Sequence, residues 1–336
     1  MTGFLKRKGI KLSFKTYFID ALGAMALGLF ASLLIGTIFG TVYDKTGIEF
    51  FKSMKEFASG AAGPAMAVSI GTALGAPTLV LLSLCAVGTA SNTLGGPMGT
   101  FVATVIAAEL GKIVSKETKI DIIVTPTVTI AAGTAVSMFV GPWINLAMTS
   151  LGNFIITCTE MQPFIMGILV SVVMGITLTL PISSAAICAS LGLIGLGGGA
   201  ATAGCCAQMI GFAFMSYKEN GIGGLAAQGL GTSMLQMGNI VKNPIIWLPS
   251  IIVSAITGPL ATCVFKLENG VAVASGMGTC GLVGPIGIMA AENFDQFRLL
   301  GMILICFAIP AILTPVISFW FKKIGWIKKD DLKLNL

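Results

Sequence analysis

The chain places one carboxylate directly before a long uncharged stretch. Glu160 is followed by Met161, Gln162 and Pro163, and no charged side chain follows until well beyond Pro181. Proline suits the first turn of a helix, so Glu160 is expected at a helix N-terminus, where the helix dipole stabilises negative charge. There Glu160 and Gln162 can accept hydrogen bonds from the hydroxyl groups of a polyol. The alternative is a carboxylate that caps the helix at the water interface.

Two groups of hydroxyl and amide side chains adjoin proline-containing breaks. Ser91, Asn92 and Thr93 precede a Leu-Gly-Gly-Pro sequence that ends at Pro97, which predicts either a re-entrant tip with exposed backbone groups or a plain loop cap. Ser183 follows a proline between two apolar runs, so it is expected to cap the next helix or to line a cavity.

Several amides lie within apolar runs. Gln228 and Gln236 are about two helical turns apart and Asn239 follows one turn later, so one helix face can carry all three. Asn243 continues this row, and Gln208 lies in another apolar run. Amides both donate and accept hydrogen bonds, which suits sugar hydroxyls. The alternative is hydrogen bonding between helices.

Most of the polar groups within apolar segments are neutral, which favours an uncharged, hydroxyl-rich solute over an anion. The chain has no histidine, and its cysteines lie mostly in apolar runs without a C-x-x-C pair. No metal site, cofactor or nucleophile–base pair is therefore predicted, and an independent membrane enzyme is disfavoured. Weaker positions are Asn145, a further candidate for the site, and Glu292-Asn293, which is expected to mark an interface.

The composition requires a membrane. Hydrophobic residues make up 55% of the chain and charged residues only 10%, whereas a soluble domain has about 25% charged residues. The predicted fold is an all-α polytopic membrane protein of about eight to ten spans at roughly 20 residues each. The 43 glycines indicate close helix packing together with broken or re-entrant helices.

The charges gather at the two ends of one predicted membrane domain. Residues 1–16 are basic, residues 17–321 form the membrane region, and residues 322–336 are a basic tail. The positive-inside rule places both termini in the cytoplasm, which requires an even number of spans. The charge therefore indicates topology and no nucleic-acid partner. Residues 44–57 alternate charges with phenylalanine, which predicts a short amphipathic surface helix.

Four long segments together resemble the phosphotransferase-system EIIC-like membrane proteins, in the branch that includes perfringolysin O regulator-like proteins. The resemblance covers nearly the whole chain. The segments are residues 91–126, 162–187, 204–221 and 231–250.

This resemblance implies a multi-pass protein of the bacterial inner membrane that is related to sugar-translocating, dimeric carriers with a scaffold domain and a transport domain. In glucose-type relatives the glutamate of a Gly-Ile-Thr-Glu motif holds the sugar. Here residues 157–160 read Thr-Cys-Thr-Glu and share only the Thr-Glu pair. Those relatives also use a histidine, which this chain lacks. The chain has no EIIA or EIIB unit, so it either uses separate EIIA and EIIB proteins or works without phosphorylation.

The leading hypothesis is a carrier that moves a small sugar-like solute by alternating access. Its candidate hinges are the Gly-Pro breaks at residues 95–97, 141–142, 258–259 and 284–285. One alternative is a membrane sensor that acts indirectly on gene expression. Another is a carrier of a different small metabolite, such as an organic acid held by helix N-termini.

Overall fold

The computed structural model describes residues 2–10, 12–291 and 295–334, and within them nearly all regular structure is helical. The described residues contain one isolated β-bridge, between Gly195 and Asn269, and no longer strand. The chain divides into two compact units, Met1–Ala147 and Met148–Leu336. Glu292-Asn293 and the side chain of Asn145 lie outside the described part. The prediction of an all-α polytopic membrane protein is confirmed.

The first unit consists of helices joined by short connections, and most of the longer ones are apolar. They are α1 (Thr2–Arg7), α2 (Ala21–Leu29), α3 (Ile35–Thr46), α4 (Glu49–Gly60), α5 (Ala62–Ala73), α6 (Thr78–Val114) and α7 (Asp121–Thr159), whose last residues belong to the second unit. The π-helical turns Lys15–Asp20 and Phe30–Leu34 extend α2 at its two ends. Helix α4 has no fully buried residue, in agreement with the predicted amphipathic surface helix.

Small residues let α2, α5 and α6 pack backbone to backbone. A Cβ atom on Gly28 would lie 2.6 Å from the carbonyl oxygen of Ala65. Gly63 of α5 and Gly88 of α6 face each other so closely that neither has room for a side chain. Buried Met66 lies along the same contact. Such packing is typical of membrane helices, because lipid provides no hydrophobic force that would drive them together.

The predicted break at residues 95–97 exists, but it is narrower than expected. Helix α6 continues through Ser91 and Thr93, and only Gly96 leaves the helical region, with φ 59° and ψ −157°. Pro97 follows and cannot donate a backbone hydrogen bond. The predicted turn after residue 93 is therefore replaced by a kink three residues later.

The second unit contains the remaining helices. They are α8 (Pro163–Thr179), α9 (Ser184–Leu191), α10 (Gly195–Met215), α11 (Tyr217–Ala226), α12 (Met237–Lys242), α13 (Leu248–Pro259), α14 (Ala272–Ser275), α15 (Val283–Met289), α16 (Gln296–Ile303) and α17 (Ile309–Ile324). Short π or 3-10 turns extend several of them. These are Ala227–Gly231, Ser233–Gln236, Pro244–Trp247, Leu260–Val264, Cys280–Leu282 and Leu304–Ala308.

Helix α10 is the centre of the second unit. It contacts α8, α13 and α17, and almost all of its residues are buried. Cys206 belongs to an apolar cluster with Leu267 and Ile305, and Phe212 belongs to a second cluster with Ile246 and Ile327. A glycine-rich sequence of low intrinsic helix propensity is thus held helical by packing on all sides.

Six helices in the described part of the chain are long and apolar enough to cross a membrane. They are Lys15–Gly40, Thr78–Val114, Asp121–Thr159, Gly195–Met215, Pro244–Val264 and Gln296–Ile324. Pro163–Thr179 and Cys280–Met289 are shorter apolar helices. The total of eight to ten spans stays a prediction, because some apolar runs that the sequence suggested as spans are divided into shorter helices.

Candidate functional site

A cavity of about 540 Å³ opens beside Glu160 in the second unit. Its walls come from the end of α7, the start of α8 and the residues that connect α9 to α10. The lining residues are Ile156, Thr159, Met161, Pro163, Met166, Leu191, Gly192, Leu193, Ile194, Leu196 and Gly197. Pockets that bind small molecules have volumes of roughly 300–1,000 Å³, so this cavity is of a suitable size.

Glu160 lies in the turn between α7 and α8, and the two residues next to it line the cavity. Helix α8 begins at Pro163 as predicted, with Gln162 as its N-terminal cap residue. The side chain of Gln162 makes no capping hydrogen bond, and both Glu160 and Gln162 are exposed. A carboxylate and an amide are therefore exposed next in sequence to residues that line a largely apolar cavity.

Two helices start at this cavity. Pro163 is the first residue of α8, and Leu196 and Gly197 belong to the first turn of α10. The first N–H groups of a helix have no partner within the helix, and they carry a partial positive charge. The start of α10 thus brings backbone hydrogen-bond donors to the cavity, and Glu160, which is next in sequence to the lining residues Thr159 and Met161, is a source of acceptor oxygens outside the lining. Groups of both kinds are needed to bind a hydroxyl, which donates and accepts.

The wall that connects α9 to α10 is fixed by hydrogen bonds from a distant segment. Gly192 and Gly195 have φ of 58° and 64°, a conformation that glycine adopts without strain. Gly195 exchanges backbone hydrogen bonds of 2.9 and 3.0 Å with Asn269. The hydroxyl of Ser275 donates to the carbonyl oxygen of Leu193 at 2.7 Å. These contacts make the wall part of a folded structure rather than a loose loop.

Sequence reasoning missed Asn269, which is completely buried behind this wall. Its amide donates to the hydroxyl of Thr202 at 2.9 Å and to the carbonyl oxygen of Gly284 at 3.3 Å, and its Oδ1 accepts from the backbone of Val271. One amide thus joins three segments of the second unit. The signal in the sequence was the polar triplet at residues 268–270, which interrupts two apolar runs.

Gln208 lies in the fully buried middle of α10, away from the residues that line the cavity. Its Oε1 accepts a 3.0 Å hydrogen bond from the indole of Trp247 and a 3.5 Å contact from Thr179. Thr179 also pairs with Ser233 at 2.8 Å. The hydroxyl of Ser250 nearby has no hydrogen-bond partner among the described residues. Gln208 therefore joins helices in this structure, and its predicted contact with a solute stays a prediction.

The predicted single helix face is not observed, because the extended Thr232 separates the turn that holds Gln228 from the elements that hold Gln236 and Asn239. The three amides nevertheless form a continuous hydrogen-bonded row. Gln236 Nε2 donates to Gln228 Oε1 at 2.9 Å, and Asn239 Nδ2 donates to Gln236 Oε1 at 2.8 Å. The same two donors also reach the carbonyl oxygens of Leu332 and Lys333, at 3.0 and 2.9 Å. The row therefore holds the C-terminal segment against the second unit.

Asn243 extends this contact with the C-terminal segment. Its Nδ2 donates to Asp331 Oδ2 at 2.8 Å and to the carbonyl oxygen of Trp326 at 3.0 Å, and its Oδ1 caps the turn at Ile245. The alternative to solute binding was hydrogen bonding within the protein, and these amides make such hydrogen bonds in this structure. Solute binding by Gln236, Asn239 or Asn243 stays a prediction.

The remaining predicted residues lie apart from the cavity lining. Ser91 is buried in α6 of the first unit and donates to the carbonyl oxygen of Val87 at 2.7 Å, which satisfies its hydroxyl within its own helix. Asn92 is half-buried beside it. Ser183 directly precedes α9, and its carbonyl oxygen accepts from the backbone of Ile187. Ser91 and Asn92 thus lie inside a helix, and Ser183 lies at a helix end.

No group of three or more Cys, Asp or Glu side chains that could hold a metal ion occurs in the described ranges. The cysteines there form no disulfide bond, and most of them are buried. The lining of the cavity beside Glu160 offers backbone groups, the hydroxyl of Thr159 and apolar side chains, and the carboxylate of Glu160 lies outside it.

The helices and this cavity define a polytopic membrane protein with a cavity of small-molecule size at the start of two helices. The family described as "Phosphotransferase system, EIIC" matches residues 19–334, and the chain belongs to this family. It is thus an integral membrane component of sugar transport. Comparison with curated proteins and comparison with solved structures gave no match. The match is to the family as a whole, so the perfringolysin O regulator-like branch stays a prediction.

Proposed function

We propose that this chain carries a small hydroxylated solute, a sugar or sugar derivative, across the membrane by alternating access. The solute binds in the cavity beside Glu160. The observation that carries this proposal is the position of Glu160 between Thr159 and Met161, two residues that line a cavity of about 540 Å³ in a chain of the EIIC family.

The groups in and beside the cavity suit both the hydroxyl groups of a sugar and the apolar C–H face of its ring. An ionised carboxylate accepts hydrogen bonds from two neighbouring hydroxyls, and such charge-assisted bonds are the stronger kind. Backbone N–H groups at the start of α10 donate to hydroxyl oxygens, whereas α8 begins at Pro163, which has no N–H group. Ile156 and Met161 offer apolar surface to the C–H face of a sugar ring. Gln162 at the rim adds an amide that donates and accepts.

The two compact units support the division into a scaffold domain and a transport domain, although the chain forms one membrane domain in sequence. The proposal also places the chain in the bacterial inner membrane as a homodimer with both termini in the cytoplasm. Phosphorylation of the sugar, where it occurs, is assigned to separate EIIA and EIIB proteins. The glycines at residues 192 and 195 in the cavity wall are the candidate hinges nearest to the site.

A second candidate is a carrier for an organic acid or sugar acid. The observation that favours it is the meeting of two helix N-termini, at Pro163 and Gly195, at one cavity. Helix N-termini bind carboxylates and phosphates readily. Glu160 already supplies a negative charge at this place, which makes a neutral sugar the better match.

Ligand-induced thermal stabilisation of the detergent-purified protein tests both candidates. The panel contains sugars, polyols and organic acids, and it is applied to wild type, Glu160→Gln and Glu56→Gln. Glu56 is an exposed carboxylate on α4 and serves as the control. We expect a neutral sugar to stabilise wild type by mass action. Glu160→Gln should weaken its affinity by at least tenfold, since a hydrogen bond to a charged group contributes about 1.5–3 kcal/mol.

Each other outcome has a definite meaning. A sugar that stabilises wild type and Glu160→Gln equally would place the site away from Glu160. Stabilisation by acids alone would favour the second candidate. The carrier proposal is wrong if no compound stabilises wild type and liposomes that contain the protein take up none of them. That result would favour the hypothesis of a membrane sensor.

A further inference from the structure

A second cavity, of about 500 Å³, lies in the first unit and is lined mainly by cations and backbone. Its lining residues are Arg7, Lys8, Gly9, Gly75, Pro77, Lys112, Ser115, Lys116 and Glu117. Four of these are cationic, and only Glu117 is anionic. The cavity is formed by α1, the α5–α6 turn and the connection from α6 to α7. We call it the basic cavity, and it shares no residue with the cavity beside Glu160.

The floor of the basic cavity is a buried ion pair. Lys112 is 2% exposed, and its Nζ lies 3.0 Å from Glu109 Oε2. The same Nζ donates to the carbonyl oxygens of Leu74 at 2.9 Å and Gly9 at 3.3 Å. Lys112 is therefore compensated, and it holds the α5–α6 turn and the N-terminal segment in place. Its role is to shape the cavity.

Two of the other three cations, Arg7 and Lys8, share a single carboxylate. Glu117 Oε1 lies 2.7 Å from Arg7 Nη2 and 2.5 Å from Lys8 Nζ. The side chain of Lys8 is only 8% exposed, and it also donates to the carbonyl oxygen of Ser115. Lys116 makes no ion pair within the described part of the chain, and the nearby Asp121 accepts from its backbone N–H. The cavity thus keeps an excess of positive charge.

We propose that the basic cavity binds a phosphate group, with Arg7, Lys8 and Lys116 as its cationic partners. In the free protein Glu117 takes the place of the ligand on Arg7 and Lys8. A phosphate has more charge and more acceptor oxygens than a carboxylate, so it can displace Glu117 and also engage Lys116. Glu117 itself comes from an exposed connection, and it can turn out to water.

The surroundings of the basic cavity favour a lipid headgroup as the source of this phosphate. Leu12 and Phe14 are 75% and 61% exposed just after α1, and Phe14 stacks on Phe18 with ring centroids 4.9 Å apart. Exposed apolar residues beside a cationic cavity at the end of an apolar helix are typical of the membrane interface. A free phosphate in water has the same chemistry, so the test has one arm for each source.

The full-length protein is compared in the two arms by thermal unfolding. One arm titrates inorganic phosphate against chloride at constant ionic strength in detergent. The other compares vesicles of phosphatidylcholine with and without phosphatidylglycerol. We expect stabilisation of wild type by phosphate, phosphatidylglycerol or both. Stabilisation in the vesicle arm alone assigns a lipid, and stabilisation in the detergent arm assigns a free phosphate.

Matched variants locate the effect. Lys116→Gln should weaken the affinity by about fivefold, since one cation near a lipid surface contributes about 1 kcal/mol. Lys119→Gln, in the same connection but outside the cavity lining, should leave it unchanged. Lys116→Gly is the second variant, because Lys116 has φ 59° and glycine fits that conformation without strain. Glu117→Gln should raise the affinity, because the competing carboxylate is gone.

Two results would overturn the proposal. One is an absence of stabilisation in both arms relative to chloride and to pure phosphatidylcholine. The other is an equal loss of affinity in the Lys116 and Lys119 variants, which would indicate general attraction by surface charge.

Discussion

Gly204 of α10 lies directly against the carbonyl oxygen of Ser171 on α8, and a Cβ atom at Gly204 would overlap that oxygen. Ser171 in turn donates its hydroxyl to the carbonyl oxygen of Ser254 on α13. Three helices of the second unit therefore meet at one point with backbone in contact. The cavity beside Glu160 lies where α8 and α10 begin, so this contact fixes the spacing of two of its walls.

Gly204→Ala should destabilise the protein by about 1–3 kcal/mol, because a methyl group forces α10 away from α8. Gly223→Ala is the matched control. Gly223 is exposed in α11 with open space around it, so alanine there should be neutral or stabilising by up to about 1 kcal/mol. Thermal unfolding in detergent compares the two variants. Equal melting temperatures for both would show that the close contact is absent in solution.

Gln236→Leu should loosen the C-terminal segment. Gln236 is completely buried and donates to both Gln228 and the carbonyl oxygen of Leu332, so its loss leaves buried polar groups without partners. Each such group costs about 1–3 kcal/mol. We expect faster hydrogen exchange at residues 326–334 and a lower melting temperature. Gln296→Leu, at an exposed position at the start of α16, should change neither. Unchanged exchange in the Gln236 variant would argue against the row of amides as a clamp.

Lys112→Met should be among the most destabilising single changes in the first unit. It removes the cation that pairs with the half-buried carboxylate of Glu109, which keeps a 3.1 Å hydrogen bond from the hydroxyl of Tyr17. Removing one partner of a buried ion pair typically costs about 3–5 kcal/mol. The double variant Lys112→Met/Glu109→Leu should recover much of the stability, since no unpaired charge is then buried. Unfolding in denaturant measures both. A double variant less stable than Lys112→Met would contradict this account.

The docking of α1 should depend on acid pH through Glu117. The hydrogen bond from Lys8, assisted by attraction to Arg7 and Lys8, lowers the pKa of Glu117 below its ordinary value of 4.5. A carboxyl with a lowered pKa stabilises the folded contact at pH above its unfolded pKa and loses that effect as pH falls through the folded pKa. Below pH 4.5 we therefore expect progressively lower protection at residues 2–7, measured as the hydrogen-exchange rate relative to the intrinsic rate at the same pH.

Glu117→Gln is the control for this pH effect. It should show low protection from exchange at residues 2–7 already at neutral pH, and this protection should change little on acidification, because the carboxyl group that titrates in wild type is gone. A variant that keeps the pH dependence of wild type would assign the effect to a different group.

The sequence alone determined the class of protein and several local features. A chain with 55% hydrophobic and 10% charged residues has to bury its backbone polar groups within helices in a membrane. Pro163 starts a helix as predicted, because proline lacks an N–H group that the first turn does not need. The alternation of charged residues and phenylalanine from residue 44 predicted a surface helix, and α4 is that helix. These features depend on residues that are neighbours along the chain.

Only the tertiary structure decided which polar residues share a site. Gln236 and Asn239 were as suitable for a sugar as Glu160 by residue type, yet they bond to the C-terminal segment, which lies almost one hundred residues away. Asn269 was not predicted from the sequence, although its backbone hydrogen bonds to Gly195 support the cavity wall. Amides and hydroxyls have no pattern that tells a helix contact from a ligand contact. The partner is chosen by packing between distant segments, and in this protein that packing depends on glycines such as Gly204.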